Sequence, residues 1–206
     1  MIYIILLASI LPAIVYLFVI RNSEAHQREG WRWVYGAFFW GVAAAIMSAF
    51  GELIFSVIFR VGLLTTAIII APVIEEVFKP LIFFGKKSAE IEDTMIYCAS
   101  AGIGFACIEN ALYFAGAEAG VLPLIIVART IDGYMIHAST SGLTGLGIAK
   151  KRTLSHLMGA IIIHSISNLF ILKGGAMGFI ISIFMAILLF SWMRRSIKKY
   201  DSAYRK

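Results

Sequence analysis

Residues 71–80 read APVIEEVFKP. The ten residues before them, VGLLTTAIII (61–70), carry no charge, and LIFF (81–84) follows. Without Glu75, Glu76 and Lys79 the whole stretch is a membrane span, so the rest of the chain must say whether these charges interrupt the span or belong in it. Of the 206 residues, 60% are hydrophobic and only 15% are charged. The mean hydropathy is +0.88. A soluble domain of this size carries more charge and breaks its apolar runs more often. The chain therefore reads as an all-α polytopic membrane protein, with one membrane-embedded domain over residues 1–206.

Working outward from 71–80, seven apolar segments stand near 2–20, 33–59, 61–84, 94–117, 120–148, 156–173 and 175–193. The first has no basic region before it and no clear small-residue cleavage site after it, so it reads as a retained helix. The connections alternate in charge. RNSEAHQREGWR, GKKSAEIED, AKKRTLS and the tail RRSIKKYDSAYRK hold fourteen basic residues, while the other connections hold only Arg60 and Lys173. That asymmetry predicts about seven transmembrane helices in a cell membrane, with the N-terminus outside and the C-terminus cytosolic. It also accounts for the net charge of +6. No basic patch is interleaved with aromatics, so a nucleic-acid partner is not expected. Cys98 and Cys107 lie nine residues apart on one helix, on opposite faces, and cannot pair with each other.

Two basic residues, Lys79 and Arg129, remain inside spans. They are joined there by Glu52, Glu75, Glu76, Glu109, Asp132, His137 and His164. Ionisable groups in the hydrocarbon layer are costly, and a functional role is the default reading. On a helix, Lys79 lies at about 40° from Glu75 and Glu76 at about 100°, so the lysine sits between two acids. A salt bridge at i,i+4 would explain one acid but leaves the other over. Pro80 removes a donor to the carbonyl of Glu76, and Pro72 loosens the helix one turn earlier. In the fourth span, Gly102 and Gly116 share the face of Glu109, which allows close helix approach. In the fifth, Arg129, Gly133, His137, Thr140, Ser141 and Thr144 form one polar stripe, and Arg129 with Asp132 at i,i+3 is read as a simple pair. In the sixth, Asn168 lies one turn from His164, placed to orient the imidazole, to bind a substrate carbonyl or to join two helices. At 1.5 Å per residue, Glu76 and His164 lie about 12 Å from the cytosolic ends of their spans, His137 about 16 Å and Glu109 about 22 Å. Four helices can thus bring these groups to one layer.

Several glutamates and two histidines in a dry cavity suit activation of water. Buried carboxylates serve as bases, and histidine polarises a carbonyl, stabilises an oxyanion or binds a metal. The expected reaction is hydrolysis of a peptide or similar acyl bond. No HExxH and no GxSxG occurs, and Asp132 has no second intramembrane aspartate for a dyad. A Ser141–His137 dyad lacks an evident orienting acid. Two other classes also fit charged helices: a proton- or cation-coupled transporter, against which no repeat relates two halves, and a catalytically silent membrane scaffold.

Four motifs in four successive spans carry a family resemblance. They are Glu75-Glu76-Val-Phe-Lys79, Phe105-Ala-Cys-Ile-Glu109-Asn110, Arg129 with His137 eight residues on, and His164 with Asn168 four residues on. In these the chain resembles the PrsW-type intramembrane proteases, distant relatives of the CAAX prenyl proteases. The resemblance implies a membrane-embedded endopeptidase acting on a single-span membrane protein, such as a membrane-spanning anti-sigma factor, at the start of a signalling cascade. It implies Glu75 and Glu76 as water-activating residues, with Glu109, His137 and His164 in the same catalytic site. Lys79 would orient the acids, and Arg129 and Asn168 would support them, joined by Ser141 from the polar stripe of the fifth span. A glutamate-dependent mechanism and a zinc-dependent one are both open. A zinc ion would draw on Glu76, Glu109, His137 and His164, though no spacing requires it.

Overall fold

A computed structural model describes residues 2–24, 30–83, 90–118, 120 and 122–203. Arg28, Lys86, Lys87, Arg205 and Lys206 of the basic connections lie outside the described residues. Apolar runs too long for a soluble core satisfy their backbone internally, and in lipid only helices or closed barrels can do that. The described residues form seven helical rods and no strand. They are α1 (Ile2–Arg21), α2 (Trp31–Phe59), an interrupted third rod, α5 (Ile91–Gly116), α6 (Leu122–Ala149), α7 (Thr153–Lys173) and α8 (Gly175–Ala203). The third rod starts with α3 (Leu63–Thr65), widens into a π-helical turn (Thr66–Ile70) and resumes as α4 (Ala71–Phe78). Five rods (α1, α2, α5, α7 and α8) are long and apolar enough to cross a membrane. Leucines, isoleucines and phenylalanines stand exposed along the outer faces of α1, α2 and α8, as in a protein whose surroundings are lipid.

The predicted spans agree with the rods to within a few residues, save at two ends. The third rod stops at Phe78 rather than 84, because Pro80 has no N–H to continue it; a short 3-10 turn (Leu81–Phe83) follows. The eighth helix runs to Ala203, well past the expected 193. Met193 and Ile197, four residues apart, stay buried against the core, so packing carries the helix beyond its lipid-facing length.

The helix α5 is the centre of the bundle. One side joins α1, α6 and α8 in an apolar core that includes Leu17, Ile20, Ile103, Ala138, Phe190 and Met193. Its other side meets α2 and the face of α6 that carries the ionisable residues. Two glycines set these distances. A Cβ on Gly102 would run into the backbone carbonyl of His137, and one on Gly104 would run into that of Phe38. Glycine is the residue that lets two backbones come so close. Gly116, expected to do the same, has nothing within 4 Å of such a Cβ and borders a cavity instead.

Arg194 Nε donates to Ser23 Oγ at 3.0 Å, and Lys150 Nζ donates to the Tyr200 hydroxyl. The ends of α1, α6 and α8 that carry basic residues therefore share one face of the bundle. Cys98 and Cys107 are both buried and free.

Candidate active site

The site begins with a backbone defect. In the π-helical turn each N–H reaches back five residues, and Ala71 N–H still donates to Thr66 O. The next donor should be residue 72, but Pro72 has none, so the carbonyl of Ala67 is stranded. Asn168 Nδ2, from α7, donates to that carbonyl at 2.8 Å. The role of Asn168 is thus a helix-to-helix bond that holds α4 in place. The chain continues into α4 with Ala71, Pro72, Glu75 and Glu76 buried on one face. At the far end, Trp40 Nε1 of α2 donates to the carbonyl of Lys79 at 2.9 Å.

Lys79 has no solvent exposure, and its ammonium is the centre of the cluster. It lies 2.7 Å from Glu76 Oε1, 2.7 Å from His137 Nδ1 and 3.6 Å from Glu75 Oε2. It also sits over the ring of Phe105, 4.5 Å from the centroid, while that ring stacks on the His137 imidazole. An ammonium so buried is stable only because two carboxylates and an aromatic face replace its water.

The two histidines have defined tautomers. A carboxylate can only accept. His137 Nε2 lies 2.6 Å from Glu109 Oε2, so its hydrogen is on Nε2, and Nδ1 accepts from Lys79. His164 Nδ1 lies 2.9 Å from Glu76 Oε1, so its hydrogen is on Nδ1, and Nε2 carries the lone pair. Thr140 Oγ1 donates to the same Glu76 oxygen at 3.0 Å. Glu109 is itself held, by Arg129 at 2.5 Å, and Arg129 Nε donates to Asn110 Oδ1 at 2.8 Å. Each imidazole is therefore oriented by a carboxylate, the arrangement seen behind metal-binding histidines.

Three acceptors face one another as a result. Glu75 Oε2 is buried and has no hydrogen-bond partner. It lies 3.8 Å from His164 Nε2 and 3.9 Å from His137 Nδ1. Glu75, His137 and His164 each offer a ligand atom within 4.8 Å of the others. One carboxylate and two neutral imidazoles suit a divalent cation such as zinc. The expected ligands differed, because Glu76 and Glu109 are both spent on orienting the histidines. Glu75, not expected as a ligand, is the carboxylate in the group that could hold a metal ion.

The site opens into a cavity of about 860 Å³ between α2, the third rod and α5 to α8. Its wall is mostly apolar, with Glu52, Glu75, Glu109, Arg129, Asp132 and Asn168 among its polar members. Those apolar walls include Leu63, Gly116, Leu124 and Leu172, at the rod ends opposite the basic face.

Some expected partners are placed differently. Arg129 does not pair with Asp132; its guanidinium reaches across to α5. Asp132 instead accepts from Ser182 Oγ at 2.7 Å, and Ser182 meets Ser167 at 2.8 Å. Ser141 is buried against α5, and its hydroxyl has no hydrogen-bond partner, so no Ser141–His137 dyad forms. Thr140, a member of the polar stripe, and Phe105, the first residue of the second motif, belong to the site although no role was expected of either. Thr140 follows His137 at i+3, a spacing that already put the two on one face.

Residues 29–193 match the family described as PrsW family intramembrane metalloprotease. No curated relative and no solved structure matches the chain.

Proposed function

We propose, for a chain that belongs to the PrsW family of intramembrane metalloproteases, that the four-helix cluster hydrolyses a peptide bond of a single-span membrane protein. The family makes it a multi-pass membrane protease. The observation that carries the finer reading is Glu75 Oε2, a buried carboxylate oxygen without a hydrogen-bond partner, 3.8 Å from His164 Nε2 and 3.9 Å from His137 Nδ1 and beside a cavity.

Glu75, His137 and His164 would hold a divalent metal, zinc by the chemistry of the donor set. Such an ion, when bound, supplies Lewis-acid activation to a water and to the scissile carbonyl. The chain's own residues do the rest. Glu75 is the anionic member of the set and the acceptor for the proton lost by the attacking water. Glu109 and Glu76 fix the tautomers of His137 and His164; the lone pair of His164 Nε2 is left toward Glu75, while His137 Nδ1 accepts from Lys79, an ammonium that a bound ion would have to displace. Lys79 offsets one of the two carboxylate charges beside it and keeps Glu76 aimed at His164. Arg129 lines the cavity with only some of its N–H groups engaged, so others can hold the substrate carbonyl and the charge that develops on it. The apolar walls keep bulk water from competing. The basic face is assigned to the cytosol, which puts the cavity mouth on the outer side.

The test is reconstitution in liposomes with single-span candidate substrates. Cleavage by the native chain, absent with Glu75→Gln, is expected. Full cutting by a chain carrying both Glu75→Gln and Glu76→Gln would end the reading.

A further inference from the structure

Glu52 is an intramembrane ionisable group that the hydrolytic cluster does not use. It lies on α2, it is half-buried, and it lines the same cavity as Glu75, Glu109 and Arg129. Two contacts bracket it. A Cβ on its neighbour Gly51 would meet Ile74 Cγ2, adjacent to Glu75, at 3.4 Å. One turn on, Ser56 Oγ lies 3.0 Å from Thr66 Oγ1. Glu52 therefore faces the third rod at about the level of Glu75, from the opposite wall of the cavity.

The charges around that cavity do not balance. Glu109 is matched by Arg129, and Glu75 is approached by Lys79 at 3.6 Å. Asp132 has its serine hydroxyl. Glu52 takes no hydrogen bond and no ion pair among the described residues. Arg129, the one basic residue on the described wall, bonds Glu109 and Asn110 and makes no ion pair with Glu52. A half-buried carboxylate in an apolar setting is costly without a partner, and no described residue of the bundle supplies one.

We propose that Glu52 is a specificity residue: it binds a lysine or arginine side chain of the substrate close to the scissile bond. This rests on the hydrolytic reading above. A long, flexible cationic side chain lays its methylenes along the apolar wall and brings its charge to the carboxylate. Substrates with a neutral or acidic residue at that position leave Glu52 unpaired, which is discrimination by an unmet charge.

The experiment uses the full chain in liposomes with one single-span substrate whose residues flanking the cut are replaced, one at a time, by Lys, Gln or Glu. The native chain should favour Lys over Gln at one position. Glu52→Gln should lower kcat/KM for that Lys substrate by about tenfold or more, leave the Gln substrate unchanged, and act mainly through KM. Glu52→Lys should reverse the preference toward Glu. Cutting by the native chain with no preference at any position, or a preference untouched in Glu52→Gln, overturns the assignment while the hydrolytic reading stands. Binding separates the two further. The Lys substrate should bind the Glu75→Gln protein more tightly than its Gln counterpart does, and lose that advantage when Glu52→Gln is added. If the native chain cuts nothing, the hydrolytic reading fails. Equal binding of the Lys and Gln substrates then removes the role of Glu52 as well.

Discussion

Asn168 donates its side-chain N–H to the carbonyl of Ala67, the carbonyl that Pro72 leaves without a backbone donor. One hydrogen bond between α7 and the third rod thus sits directly before the turn that carries Glu75 and Glu76. Asn168→Ala should cost about 1–3 kcal/mol of stability, the penalty for an unmet buried carbonyl. Pro72→Ala restores an N–H at the same place. The double variant should lose less than the sum of the two single ones, measured by thermal unfolding in detergent. Strict additivity would argue that the two residues serve different ends.

Glu75→Gln should lower cleavage by about a hundredfold to ten-thousandfold, the range expected on losing a general base, with little change in unfolding temperature. Glu76→Gln should act more broadly. Its Oε1 accepts from Lys79, Thr140 and His164, so both stability and activity should fall. Equal, purely catalytic losses in both variants would contradict the division of labour between them.

Glu109→Gln should release the His137 tautomer, because an amide can turn its N–H toward Nε2 and no longer demands a hydrogen there. Activity and zinc affinity are expected to fall together by about 10–100-fold. Equilibrium dialysis of the purified chain reads the second quantity without any substrate.

Metal content is predicted at one zinc per chain, removed by a strong chelator and restored by added zinc. His137→Ala and His164→Ala should each abolish tight binding, whereas Ser141→Ala should not. An active preparation with no metal would assign the chemistry to Glu75 alone.

Gly102→Ala would place a methyl group into the backbone of α6 at His137. The helices must part, at a cost of about 1–3 kcal/mol, and the histidine must move with them. Activity should fall more than stability, read by cleavage and thermal unfolding on the same preparation.

Much of the site was legible along the chain because helices translate spacing into direction. The pattern Glu75, Glu76, Lys79 already put a lysine between two acids, and the structure keeps it there, 2.7 Å from one and 3.6 Å from the other. His137 and Thr140 shared a face by spacing, and in space Thr140 donates to Glu76 while Lys79 bridges Glu76 and His137. Arg129 shows where such reasoning ends. Asp132 stands at i+3 and looks like its partner, yet Glu109 on another helix takes the guanidinium. Local spacing ranks nearby candidates, but it cannot weigh a residue twenty positions away.

Taken alone, then, the amino-acid order determined the bundle. Seven apolar stretches demand helices because lipid offers the backbone no other partner, and the alternation of basic connections predicts their orientation. It also named the intramembrane acids and histidines. Only the tertiary structure decided how those groups divide. About 100° separates Glu75 from Glu76 on one helix turn. That rotation buries Glu76 among Lys79, Thr140 and His164, and leaves an oxygen of Glu75 unbonded beside the cavity. Which of two adjacent carboxylates meets donors and which meets open space depends on where three other helices lie, and no spacing within a single helix contains that information.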